Sequence, residues 1–129
     1  MEILKYKHFE AKDNGIKRHL IDEFVVFQGK NAAANDFLTL ELASEDDIWM
    51  HAKGVPGSHV LIKVSDKLPT LEVIKKAAQI AADNSKGNSG SEVTVVYCKR
   101  KFVHKRPGMN PGQVEVEYKN SNQIIVTKK

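Results

Sequence analysis

The sequence predicts an α+β fold, a mainly antiparallel sheet with about two helices packed on it. Three observations predict it. Strand-like runs lie at both ends of the chain, two stretches with helical spacing lie between them, and Asn-Gly and Pro-Gly turn signals punctuate runs that alternate or are continuously apolar. No internal repeat, low-complexity tract or linker divides the 129 residues, so residues 1–129 read as one domain. A domain of this length buries roughly two-thirds of its unfolded surface without disulfides or metals.

Asp13-Asn14-Gly15 is a tight-turn signal, because Asn-Gly tolerates positive φ, and it separates strand candidates Tyr6 to Ala11 and Ile16 to Ile21. Phe24 to Phe27 is a further short strand. After Gly29-Lys30, Asn31 is placed to cap a helix over Ala32 to Leu40 by accepting a first-turn N–H. A second helix carries Leu71, Ile74, Ala78 and Ala81 on one stripe. Pro69 suits its first turn, Asn84-Ser85-Lys86-Gly87 stops it, and Ala77, Ala78, Ala81 and Ala82 permit close approach to a sheet. Glu92 to Lys99 is the candidate central strand, since both its faces are nearly all apolar. Pro107-Gly108 and Pro111-Gly112 mark a loop before the half-exposed run Val114, Val116, Tyr118. Asn120-Ser121-Asn122 then turns the chain into Gln123 to Thr127, closing a final hairpin.

The run from Asp47 to Val60 is the most informative. In a strand alternate residues share a face, so Asp47, Trp49, His51 and Lys53 point together while Ile48, Met50 and Ala52 point the other way. Val55-Pro56-Gly57-Ser58 meets the needs of a type II turn. Pairing Lys53 with His59 would place His59, Leu61 and Lys63 on the same crowded face, displaying the indole and both imidazoles to solvent.

The balance of 20 Lys plus Arg against 16 Asp plus Glu gives a net charge of +4, a mild bias toward polyanions that decides nothing alone. The single Cys98 excludes an internal disulfide, and its apolar surroundings imply a buried neutral thiol and a reducing compartment. The N-terminus lacks an apolar signal core, and no segment approaches the ~20 apolar residues of a membrane span, so a cytoplasmic protein is expected.

Cys98 to Arg106 holds five formal positive charges and no acid. Lys99, Arg100, Lys101, Lys105 and Arg106 are suited to phosphates, and Phe102, His104 or Tyr97 to stacking on an unpaired base. The competing reading is a solvated edge strand guarded by lysines. Trp49 is equally suited to stacking or to covering a sheet face. His51 and His59 read either as donors to phosphate or base edges or as satisfied structural histidines. A metal site would need a third ligand such as Asp47 or Asp36, which no tight His or Cys spacing supplies. Ser58, His59 and Asp47 contain the ingredients of a hydrolase triad, but adjacent strand residues face opposite ways and no nucleophile elbow is present.

The segment Gly29-Lys30-Asn31-Ala32-Ala33-Ala34-Asn35-Asp36, then Asp47-Ile48-Trp49-Met50-His51-Ala52 and Pro56-Gly57-Ser58-His59-Val60, resembles the C-terminal RNA-binding-type domain of the NFACT proteins (NFACT-R). The alanine-paired helix, the Val-Val-Tyr strand, the basic stretch and the Pro-Gly before the last strands extend the resemblance over essentially the whole chain. It implies a non-enzymatic, cofactor-free RNA-binding module working with tRNA or ribosome-bound RNA in translation quality control or tRNA metabolism. In the family this domain accompanies others that recognise stalled large ribosomal subunits. The candidate RNA-contacting residues are Lys30, Asn31 and Asn35; Asp47, Trp49, His51, Lys53, Ser58 and His59; and Lys99, Arg100, Lys101, His104, Lys105 and Arg106. Lys30 and Ala34 stand where the family commonly has Arg and Gln, so that loop loses a bidentate fork and an amide. Met50 replaces a usual aromatic. A protein-interaction or adhesion module is the alternative class, with a small metal-dependent hydrolase behind it.

Overall fold

The computed structural model describes residues 15–129, so the expected strand Tyr6 to Ala11 and most of the Asn-Gly turn lie outside the described residues. The elements run β1 (Ile16–Ile21), β2 (Phe24–Gly29), α1 (Ala32–Phe37) continuing into a π-turn (Leu38–Leu42), β3 (Ile48–Ala52), β4 (Val60–Ile62), α2 (Leu71–Asp83) and β5 (Glu92–Lys99). After a 3₁₀ turn (Arg100–Phe102) come β6 (Val103–His104), β7 (Glu115–Val116), a second 3₁₀ turn (Tyr118–Asn120) and β8 (Asn122–Thr127). Six strands form one antiparallel sheet ordered β1-β2-β4-β3-β5-β8, and β6 and β7 pair separately. The expected α+β architecture is borne out.

Strand parity divides the core in two. Val26, Met50, Val60, Ile62 and Val95 meet α2 through Val73, Ala77, Ala78, Ala81 and Ala82. Phe27, Trp49, Leu61, Val96 and Cys98 point the other way, beneath Ala34, Leu38, Leu42 and Val103. β5 is buried on both faces, as its apolar pattern predicted. Burial pushes the Cys98 thiol up to about 11, which keeps it neutral.

Both helices begin as side-chain caps require. The Asn31 side chain accepts from Ala34 N at 2.8 Å, as expected, and Thr70 accepts from Val73 N, which puts Pro69 before the cap rather than in the first turn. Leu71 is exposed instead of joining the buried stripe, which Val73 leads. The expected helix to Leu40 is α-helical only to Phe37 and runs on to Leu42 as a wider turn, in which Ala43 N bonds Leu38 O, five residues back.

Three expectations for the strands are corrected. In the β3–β4 hairpin Trp49 pairs with Leu61 and Met50 with Val60, so Lys53 does not oppose His59; the register is displaced by two residues, which preserves every side chain's face. The left-handed residue of the connection is Gly54, at φ +77°, while Gly57 forms a bridge with Ser85. Its hydrogen would be replaced at 3.0 Å from Ser85 Cα by any Cβ, so close backbone approach explains the glycine. Finally, β8 pairs with β5 rather than folding back on the 114–118 run, since β5 still offers an open edge there.

Candidate functional site

The crowded face of β3 and β4 is covered rather than displayed. α1 and its π-turn cross it, and Trp49 and His59 are each 1% exposed, as is Asp47. This corrects the expectation of an open face of rings. Trp49 Nε1–H donates to Thr39 Oγ1 at 3.0 Å, and Thr39 in turn lies 2.8 Å from His59 Nδ1. His59 Nε2 lies 3.1 Å from the Gly112 carbonyl, which can only accept, so Nε2 carries the ring proton and Nδ1 accepts from Thr39. The three-step chain from Trp49 through Thr39 and His59 to the Gly112 carbonyl is therefore satisfied with a neutral imidazole. Burial first, and the neighbouring His51 ring second, push His59 down to about 3.

His51 is the ring that reaches solvent. It is half-buried, its Nε2–H donates to Gly57 O at 3.3 Å, and its ring centroid lies 5.2 Å from that of His59 and 6.1 Å from that of Trp49. Desolvation lowers its pKa against the opposing pull of the Gly57 carbonyl. Asp47 is an internal anchor. It accepts from Ser44 N, Val64 N and Lys63 Nζ, the last at 2.6 Å, tying the loop before β3 to the end of β4. Ser58 Oγ accepts from Gln28 Nε2 and not from His59, so the hydroxyl and imidazole of the triad-like trio serve different partners.

Asn35 organises the junction of α1 with the sheet. Its Nδ2 donates to Gly57 O at 3.1 Å and its Oδ1 accepts from His59 N at 3.0 Å. Only glycine fits at residue 29, because a Cβ there would stand 2.1 Å from Asn35 Oδ1. Beside this junction opens a cleft of about 380 Å³ whose walls include Lys30, Asn31, Asn35, His51, Gly57, Ser58, Asn84 and Gly112. Five candidates from three separate stretches of sequence thus meet at one cleft.

The basic stretch is not the open cation patch that its sequence suggests. Lys105 Nζ pairs with Asp36 at 3.2 Å and also donates to the Asn110 and Gln113 carbonyls, clasping the 105–113 loop onto α1. Arg100 donates to the carbonyls of Thr39 and Val103. Lys99 and Lys101 share Asp46 at 3.7 Å each, Arg106 pairs with Glu115, and His104 with Glu117. Local acids absent from the run itself offset it, which a reading of the run in isolation misses. Lys30 and Lys53 are exposed and in no ion pair among the described residues.

Sequence reasoning also missed Thr39, Gly112 and Tyr118, and weighed Asp36 only as a metal ligand. A threonine inside Phe37-Leu38-Thr39-Leu40 was the available signal for the first, being a polar side chain in an apolar run. Asp36 accepts from Gly112 N at 3.0 Å, and Gly112, at φ +81°, packs against Ala32. Among the described residues no helix is long and apolar enough to cross a membrane, and no three His, Cys, Asp or Glu converge as metal ligands would.

Residues 4–118 match the family model described as the NFACT protein RNA binding domain. The Rqc2 homolog RqcH of Bacillus subtilis (strain 168) is 42% identical over 102 residues, covering 79% of this chain and 17% of that protein. The Rqc2 homolog RqcH of Streptococcus suis (strain 05ZYH33) is 39% identical, covering 96% of this chain and 23% of that protein. The chain thus spans less than a quarter of the length of these curated relatives. A solved structure, the C-terminal part of the fibronectin/fibrinogen-binding protein from Streptococcus suis, superposes with a TM-score of 0.81 at 30% identity over 99% of this chain and 56% of that one. The motif segments that meet at the cleft lie within the matched residues, and the chain belongs to the NFACT RNA-binding domain family.

Proposed function

We propose that this chain is a non-enzymatic RNA-binding module of ribosome-associated quality control in the cytoplasm, and that tRNA is its RNA. The observation that carries the reading is the convergence of Lys30, Asn31, Asn35, His51 and Ser58 on one open cleft, in a member of a family described as RNA-binding. Lys30 supplies uncommitted positive charge, and the cleft's backbone groups and amides supply hydrogen bonds to sugar, phosphate or base edges. Asp47, Trp49 and His59 take a different role from the one their sequence suggested. They hold α1, β3 and β4 in register, and His51 is the member of the motif that meets the ligand. The names of the RqcH relatives support the link to quality control.

Fluorescence titration of the purified chain with tRNA at low and high salt tests the proposal. Binding that weakens steeply with salt is expected, because phosphate contacts release counterions. Absent or salt-insensitive binding would overturn it and leave a protein ligand as the competing reading, in keeping with the name of the streptococcal fibronectin/fibrinogen-binding protein.

A further inference from the structure

Beside the cleft lies a second pocket, of about 180 Å³. Val114 and Val116 line it with the rings of Trp49, His51, His59 and Tyr118 and with Lys53. Tyr118 is 54% exposed, one of the few large rings the fold leaves in water. Lys53 Nζ sits 5.2 Å from the centroid of that ring. His51 and Gly112 line both the cleft and this pocket, so the two are neighbours across one shared wall.

We propose that this pocket receives one unpaired nucleobase of the bound RNA, stacked against Tyr118, while Lys53 turns from the ring to an adjoining phosphate. This rests on the RNA-binding reading and deepens it to single-stranded or loop elements. A base has apolar faces and a polar rim, which matches walls that mix valine side chains and ring faces with an imidazole and an ammonium. A duplex presents no free base face, so it cannot use the pocket. An exposed tyrosine already held near a lysine costs little to reorganise, since a base replaces the cation over a ring that is part of the surface.

The test compares Tyr118→Ala and Tyr118→Phe with the unaltered chain for a short single-stranded oligoribonucleotide, a blunt RNA duplex and tRNA. Tyr118→Ala is expected to weaken the single strand roughly 5- to 100-fold and the duplex hardly at all, while Tyr118→Phe stays near the unaltered affinity. Equal single-strand binding by Tyr118→Ala, or equal loss for strand and duplex, would overturn the pocket and leave RNA binding standing. No binding of any RNA by the unaltered chain would overturn both readings. A second measurement needs no variant: on titration with the oligoribonucleotide, the Tyr118 ring protons should shift in the NMR spectrum, and unmoved ring signals at saturation would overturn the proposal.

Discussion

At Trp49 the indole N–H and the indole ring do separate work, and substitution can divide them. Trp49→Phe keeps most of the buried ring but leaves Thr39 without its donor, and should lower stability by about 1–2 kcal/mol. Trp49→Ala also opens a cavity between β3 and α1, and should cost about 3–5 kcal/mol. Urea unfolding measures both, and Trp49→Phe should retain near-normal RNA affinity because phenylalanine keeps an aromatic ring at the 1%-exposed floor of the pocket beside Tyr118. Loss of affinity at unchanged stability would put the indole back at the interface. His59 carries a pH signature. Its pKa is about 3 in the fold against 6.5 in the unfolded chain, so below 6.5 the unfolded chain binds a proton that the native state refuses. Its contribution to stability is complete above pH 6.5 and is lost as pH falls from 6.5 toward 3. Taking ~1.4 kcal/mol per pH unit, about 2 kcal/mol should be gone at pH 5. His51, also lowered by burial, acts in the same direction. Urea midpoints at pH 7 and 5 check this, and His59→Gln should shrink the difference between them. A midpoint unchanged across that interval would mean that His59 is solvated.

The elements joined by Gly29 and Asn35 show how strand and helix set the cleft. In Gly29→Ala the new methyl would meet the Asn35 amide oxygen and backbone, forcing α1 away from β2 and loosening the bonds from Asn35 to Gly57 and His59. Overpacking of this kind should cost roughly 1–3 kcal/mol, and it should weaken tRNA binding as well, because the same movement displaces a wall of the cleft. Thermal melting and titration together check it; a stable variant that binds normally would contradict the cleft. How far these elements were legible depends on the kind of information each needs. β5, β2, the Asn31 cap and the alanine face of α2 follow from local pattern, and the structure has them as the pattern requires. The parity of β3 and β4 was legible from alternation, whereas their pairing was not, since Gly54 competed with the stronger Pro56-Gly57 signal and took the left-handed position. The covering of Trp49 by α1 was hidden too. Nothing along β3 records that a helix between β2 and β3 returns over that face. The same holds for Lys105, whose partner Asp36 is distant in sequence and whose role as a clasp belongs to the folded chain alone.

For the molecule as a whole, the question is where its modest excess of positive charge stays available to a polyanion. Between residues 99 and 106 four cations meet the carboxylates of Asp46, Asp36 and Glu115, and the fifth, Arg100, is spent on carbonyls of the fold. At the other end of the sheet Lys30 and Lys53 are exposed around the clefts and in no ion pair among the described residues. Binding to a single-stranded element through about four phosphates should give a slope of about −3 in log affinity against log salt. Replacing Lys30 and Lys53 together by Ala should flatten that slope by about 1.4, since each lost phosphate contact on a single strand removes about 0.7. Replacing Lys105 instead should lower stability through the loop it clasps, with a smaller change in slope, because its charge is already met by Asp36. Titrations across a salt series, with melting curves for each variant, separate the two effects. If the 99–106 substitutions flattened the slope and the Lys30, Lys53 pair left it unchanged, the RNA would lie along the 3₁₀ turn and β6, and the clefts beside His51 would be empty of ligand.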